Sequence, residues 1–140
     1  MKQSNQLMPM ISVNSVNQAR SFYVDQLNFD HQMGVLGKDG QLDFCTVAIG
    51  GAKVMLVRPQ ENFEATNLTS IKRPVEFYLE VADVVAYHAQ LKDRAVKITS
   101  ELTDQWWGDR TFTVIDPFGY QIWFYTHIGD PIPPKGMKIV

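Results

Sequence analysis

Asp116-Pro117-Phe118-Gly119-Tyr120-Gln121-Ile122-Trp123-Phe124-Tyr125 reads as a tight turn that runs straight into a strand. Turns select Asp for side-chain bonding to the backbone, Pro for its preset φ and Gly for tolerance of positive φ. The aromatic and β-branched run that follows suits a pleated, half-buried surface. Residues 111–115 form a matching run on the other side of the turn, so the two make a hairpin. Ahead of it stands Trp106-Trp107-Gly108-Asp109-Arg110, two adjacent indoles beside a carboxylate and a guanidinium.

The full chain has 140 residues, of which 45% are hydrophobic and 11% aromatic, enough for a proper core. With 20% charged residues and a net charge of −2, it has no general attraction for nucleic acid or an anionic membrane. No apolar run approaches the length of a membrane span. Residues 1–6 lack the apolar core of a signal peptide, so the expected location is cytoplasmic. The single Cys45 has no partner for an internal disulfide, and its apolar strand-like setting reads as a buried spacer.

Working outward from the hairpin, the same order of elements appears twice. Residues 7–13 read as a strand and 16–27 as a helix capped by Ser15 or Asn14, with Val16, Ala19, Phe22, Tyr23 and Leu27 as its apolar stripe. Residues 29–36, 41–49 and 52–58 read as three strands. The order then repeats: a strand over 75–81, a helix over 84–94 capped by Asp83, and strands over 96–102, 111–115 and 120–126. Residues 59–73 carry no period and read as a linker, and 128–140, with Pro131, Pro133 and Pro134, as an extended tail. A shift of 68 positions superposes Val13 on Val81, Val16 on Val84, Asp25 on Asp93, Gly40 on Gly108, Phe44 on Phe112 and Gly51 on Gly119. The expectation is therefore one domain, 1–140, made of two βαβββ modules over about 7–58 and 74–127.

Strand alternation assigns the faces. Ile122 and Phe124 fall on one side of the last strand, Trp123 and Tyr125 on the other. Phe77 and Leu79 oppose Glu76, Tyr78 and Glu80; Ile11 and Val13 oppose Met8, Met10 and Ser12; Val54 and Leu56 oppose Met55 and Val57. One face is aliphatic or Phe throughout, as packing under helices requires. The other mixes Met, Glu, Tyr and Trp, which suits a half-apolar cavity or a subunit interface.

The pair Phe22-Tyr23 followed by Leu27-Asn28-Phe29, the Trp107-Gly108-Asp109-Arg110 turn and the Asp116–Ile122 hairpin resemble the vicinal-oxygen-chelate superfamily. This group holds glyoxalases, bleomycin-resistance proteins and extradiol dioxygenases, and the resemblance spans residues 7–127. It implies an α+β fold in which two βαβββ modules form a curved mixed sheet with a concave ligand cup, often as a homodimer. In metal-dependent members the ligands are usually His or Gln on the first strands and Glu on the last strands. Those positions fall here on Met8, Met55, Glu76 and Trp123. Two thioethers, one carboxylate and an indole lack the several N or O donors that a divalent cation needs. The expectation is no metal and no cofactor. The resemblance leans toward the bleomycin-resistance branch, where a Trp-Gly-x-Arg turn lines the drug site; Tyr120 stands where that branch usually has Asn.

The candidate ligand-binding set is Met8, Met10, Met55, Glu76, Tyr78, Trp106, Trp107, Arg110, Trp123 and Tyr125. Structural roles stand beside these: Trp106 and Trp107 as a packed loop or dimer contact, and Arg110 paired with Asp109 or Asp116. Glu76 would be either a buried base with a raised pKa, or a carboxylate satisfied by Arg110, Lys53 or a tyrosine hydroxyl. His31 reads as a strand edge, His88 as an exposed helix position and His127 as following the last strand, with no ligand spacing among them. The expected function is a metal-free small-molecule-binding protein that sequesters an aromatic drug or metabolite, such as an antibiotic. The alternative is a metal-independent enzyme of isomerase or lyase type with Glu76 as acid/base, followed by a glyoxalase-like lyase. The expected partners are a small molecule and a second copy of the chain, without nucleic acid or membrane.

Overall fold

In the computed structural model, which describes residues 8–58 and 75–139, both helices start where a short polar side chain accepts from a free N–H group. Ser15 accepts from Gln18 N at 3.1 Å to open α1 (Val16–Ser21), and Asp83 accepts from Ala86 N at 3.1 Å to open α2 (Val84–Asp93). Phe22–Gln26 continue α1 as a wider π turn, and Leu27 N donates to Phe22 O, five residues back. Asn28 at φ 65 then ends the helix, a left-handed position that Asn tolerates well.

The chain divides into two compact units, Met1–Ile71 and Lys72–Val140. The first holds β1 (Met10–Ser12), β2 (Asp30–Leu36), β3 (Leu42–Ile49) and β4 (Ala52–Val57) in the order β1-β4-β3-β2. The second holds β5 (Glu76–Glu80), β6 (Ser100–Asp104), β7 (Asp109–Ile115) and β8 (Gln121–His127) in the order β5-β8-β7-β6. In each sheet the first and last strands pair in parallel and the other pairs are antiparallel. This is the α+β arrangement of two βαβββ modules. The expected linker, 59–73, lies outside the described residues.

Core and alternation agree. Val16, Ala19, Phe22, Tyr23 and Leu27 are buried with Ile11, Cys45, Val47, Val54 and Leu56 of the first sheet. In the second unit Tyr87 meets Phe124 edge-on at 4.8 Å, and Leu91, Phe77, Val114 and Ile122 fill the same layer. His88 belongs to this core, contrary to the exposed helix position expected for it. It is 9% exposed, sits edge-on to Phe112 at 5.1 Å and meets Glu101 through Nε2 at 3.0 Å. The reason is helical spacing: Val84, Tyr87, His88 and Leu91 fall on one stripe at i, i+3, i+4 and i+7.

Strand bounds also differ: β1 takes only Met10–Ser12 of the expected 7–13, β2 to β5 shift by a residue at one or both ends, and β6 to β8 differ as well. β6 begins at Ser100, because Ala95 turns left-handed at φ 60 and Val96 is spent covering the helix end. β7 begins at Asp109, and β8 runs through His127, so both residues are strand residues that face each other in register. Within the hairpins the repeat slips by one. Met55 pairs with Thr46, but its equivalent Trp123 pairs with Thr113. The counterpart of Phe44 is therefore Thr111, and Phe44 shares a face with Met55 while Phe112 is buried beneath α2.

Two turns hold the second sheet in shape. Asp116 is buried, and its Oδ1 accepts from Phe118 N and Tyr120 N, both at 2.9 Å, while Gly119 takes φ 89. Gly108 takes φ 100, and its carbonyl accepts from Ile128 N at 2.8 Å and Gly129 N at 3.2 Å. A Cβ there would run into the Gly129 carbonyl oxygen. Gly108→Ala should destabilise the chain by about 2–5 kcal/mol, combining a left-handed φ at about 1–2 with a backbone clash at about 1–3. Urea unfolding followed by circular dichroism measures this, and a loss below about 0.5 kcal/mol, the range of an ordinary surface change, would contradict it.

Candidate functional site

The second sheet presents an unbroken chain of rings on the face turned away from α2. Tyr78 and Trp123 are register partners on the parallel strands β5 and β8. Their centroids lie 6.0 Å apart, and Tyr78 stacks on Tyr125 at 4.4 Å and 21°. Trp107 meets Trp123 edge-on at 6.3 Å, and Trp106 meets Trp107 at 5.7 Å and 89°. Tyr125, Tyr78, Trp123, Trp107 and Trp106 thus form one run. Offset and edge-on contacts of this kind contribute about 0.5–1.5 kcal/mol each beyond their area.

The polar tips of Tyr78, Trp107 and Trp123 are occupied within the unit. Trp107 Nε1 donates to Tyr78 Oη at 2.7 Å, and Tyr78 Oη donates to Asp109 Oδ2 at 2.6 Å. Asp109 is only 8% exposed, and its Oδ1 meets His127 Nδ1 at 3.0 Å. A carboxylate can only accept, so His127 carries its proton on Nδ1 in this contact. Trp123 Nε1 donates to Glu76 Oε1 at 3.0 Å, and Gln121 Nε2 donates to the same oxygen. Glu76 is exposed and held by neutral donors, so neither the expected burial nor the expected partners Arg110, Lys53 or a tyrosine hydroxyl describe it.

Arg110 lies elsewhere. It alternates with Asp109 and Thr111 on β7, which places it on the face shared with Phe112, and its guanidinium is bidentate to Asp104. Its partner is therefore Asp104 and neither Asp109 nor Asp116, because Asp104 sits opposite it in register on β6. The remaining candidates belong to the first unit. Met10, 61% exposed, is the register partner of Met55 on the face turned from α1, and Met8 just precedes β1. The structure thus groups Glu76, Tyr78, Trp106, Trp107, Trp123 and Tyr125 in one unit, and Met10 with Met55 in the other.

The family positions for metal ligands do not fit a divalent ion. The Trp123 indole is a donor already engaged by Glu76, and Met55 offers a thioether next to another thioether, Met10. Among the described residues no group of three or more His, Cys, Asp or Glu side chains converges. A small cleft of about 140 Å³ opens in the first unit by Asn14, Gln41 and Arg58. Its one cation is spent: Arg58 is ion-paired with Asp39 and Asp43, which pulls the Asp39 carboxyl down to about 2.

A family model described as the Glyoxalase/Bleomycin resistance protein/Dioxygenase superfamily matches residues 5–124. The chain belongs to this superfamily. An uncharacterized protein of Mycobacterium tuberculosis, Rv0887c, is 32% identical over 135 residues, covering 94% of this chain and 77% of that one. TnmS3, an antibiotic binding protein from a Streptomyces species, superposes with a TM-score of 0.63 at 26% identity, over 90% of this chain and 99% of that one. TioX from a Micromonospora species superposes with a TM-score of 0.71 over 89% of this chain and 100% of that one; at 19% identity it supports the fold alone.

Asp109, His127 and Gln121 were not among the sequence candidates, although they hold three of the five rings' polar partners in place. The alternation of β7 and β8 carried the signal, since it puts Asp109 and Gln121 on the Trp123 face once the strands are extended to 109 and 127. The electrostatic consequence is measurable at Tyr78. Burial first, and donation to Asp109 second, push its phenol from the ordinary 10.0 up to about 12, with the Trp107 N–H acting in the opposite sense. Because the folded chain holds this proton more tightly than the unfolded one, the stabilisation is complete below pH 10 and is lost as pH rises through about 12. A difference titration of phenolate absorbance between the native chain and Tyr78→Phe should show the missing step near pH 12; a missing step at pH 10 would contradict the network.

Proposed function

We propose that this chain is a metal-free small-molecule-binding protein that holds a planar aromatic drug or metabolite against the ring face of its second unit. The observation that carries the reading is the unbroken run from Tyr125 to Trp106, whose polar tips on Tyr78, Trp107 and Trp123 are all engaged within the unit. Rings fixed in this way lose little conformational entropy on binding, which is the usual source of affinity at a preformed site. The antibiotic-binding neighbour TnmS3 supports the same reading at the level of the fold and a modest sequence likeness. The non-fitting donor set at Met55 and Trp123 supports binding without a metal ion. The exposed Glu76, already accepting from two side chains, favours binding over proton transfer.

The reading includes a homodimer, supported by the edge strand β2, on which Met33, Val35 and Leu36 are open to solvent. It also includes action in the cytoplasm, in keeping with a lone buried thiol, Cys45, whose pKa burial pushes up. No described helix is long and apolar enough to cross a membrane.

Titration with a panel of planar antibiotics and aromatic metabolites should quench the tryptophan fluorescence, with or without added Ni or Zn. Trp123→Ala should weaken binding about twofold to twelvefold, the equivalent of one aromatic contact of about 0.5–1.5 kcal/mol. A panel in which no compound quenches would overturn the reading.

A further inference from the structure

The ring face also carries unbalanced charge. Glu76 and Glu80 flank Tyr78 on β5, and Asp109 stands on the same side at the start of β7. The positions of this face on β5, β7 and β8 hold three carboxylates and no Lys or Arg. The one arginine of these strands, Arg110, projects on the opposite face and is spent on Asp104.

The manner in which the carboxylates are held sharpens the point. Among the described residues Asp39 and Asp43 are neutralised by Arg58, Asp104 by Arg110, and Glu101 meets Lys92. Glu76 instead accepts from an indole N–H and an amide. Glu80 lies in register beside Tyr125, whose phenol pKa is pushed up by burial first and by the Glu80 charge next. Neutral donors fix the position of a carboxylate and leave its charge in place. Each of the five rings carries a negative π face, and the Tyr78–Tyr125 stack covers only one face of each of those two. A neutral ring gains only stacking here. A cation gains stacking, cation–π attraction and the two glutamates, whereas an anion meets like charge with no Lys or Arg to offset it, the one imidazole of these strands on this face, His127, being bound to Asp109.

We infer that the ligand of this face is a planar aromatic cation, a fused or conjugated ring system bearing a protonated amine or quaternary nitrogen. The ring lies on the aromatic run and the charge between Glu76 and Glu80. The inference rests on the aromatic-binding reading above and adds the charge of the ligand to it.

The test uses the full chain and three tricyclic probes of similar size: proflavine, a cation at neutral pH; 2-aminoanthracene, neutral; and anthracene-2-carboxylate, an anion. Fluorescence titration should place proflavine about tenfold or more tighter than 2-aminoanthracene, with the anion weakest, as a partly exposed cation–π and carboxylate site allows. Raising the salt should weaken proflavine alone. Glu76→Gln and Glu80→Gln, both at exposed positions and still able to accept hydrogen bonds, should lower proflavine affinity about threefold or more each. Each should lower the ratio of proflavine to 2-aminoanthracene affinity, with circular dichroism confirming the fold. Equal binding of the cation and the neutral probe, or Gln variants that bind proflavine as the native chain does, would overturn the charge assignment while the stacking face stands. Failure of all three probes to bind would overturn both.

Discussion

The hydroxyl of Tyr78 is the joint on which the ring face depends. It accepts from the Trp107 indole and donates to a carboxylate, Asp109, that is almost wholly buried. A buried carboxylate without donors costs several kcal/mol, so Asp109 is held to its partners by the cost of losing them. That constraint passes outward. Tyr78 fixes Trp107, Trp107 meets Trp106 and Trp123, and Trp123 is tied in turn to Glu76. Gly108 serves the same end, because its positive φ lets the loop turn while its carbonyl anchors Ile128 and Gly129.

The two units use one scaffold for different surface chemistry. Met10 and Met55 are register partners in the first sheet, and Tyr78 and Trp123 occupy the equivalent pair in the second. Both pairs lie on the face turned from the helix. In one unit that face sets two adaptable thioethers beside Phe44 and Thr46. In the other it is rigid, because the rings have few torsions and their heteroatoms are bound. The helix-facing layers of the two units are alike in chemistry while the opposite faces differ.

The hairpin at Asp116 to Tyr125 was legible from local chemistry alone. Asp, Pro and Gly at those positions dictate a turn, and period-two alternation dictates which side chains go under the helix. Both helices, seven of the eight strands and the helix-facing cores follow from the same local rules. The eighth, β6, starts later than its residue types suggest, because Val96, a strand former, is buried with its N–H on the Leu91 carbonyl at the end of α2. His88 was misplaced by residue type, although its spacing from Val84 and Leu91 pointed to the core.

Sequence by itself determined the fold, the repeat and which residues share a face, since these rest on periodicity and turn chemistry within a few residues. Tertiary structure alone decided which groups are free to act. Arg110 stands beside Asp109 in the chain yet projects to the other face and is consumed by Asp104, while Asp109 reaches Tyr78, 31 positions away. Hydrogen-bond partners between strands are set by register and by a one-residue difference in hairpin length. Neither can be read from composition or spacing, because each depends on which strand lies next to which.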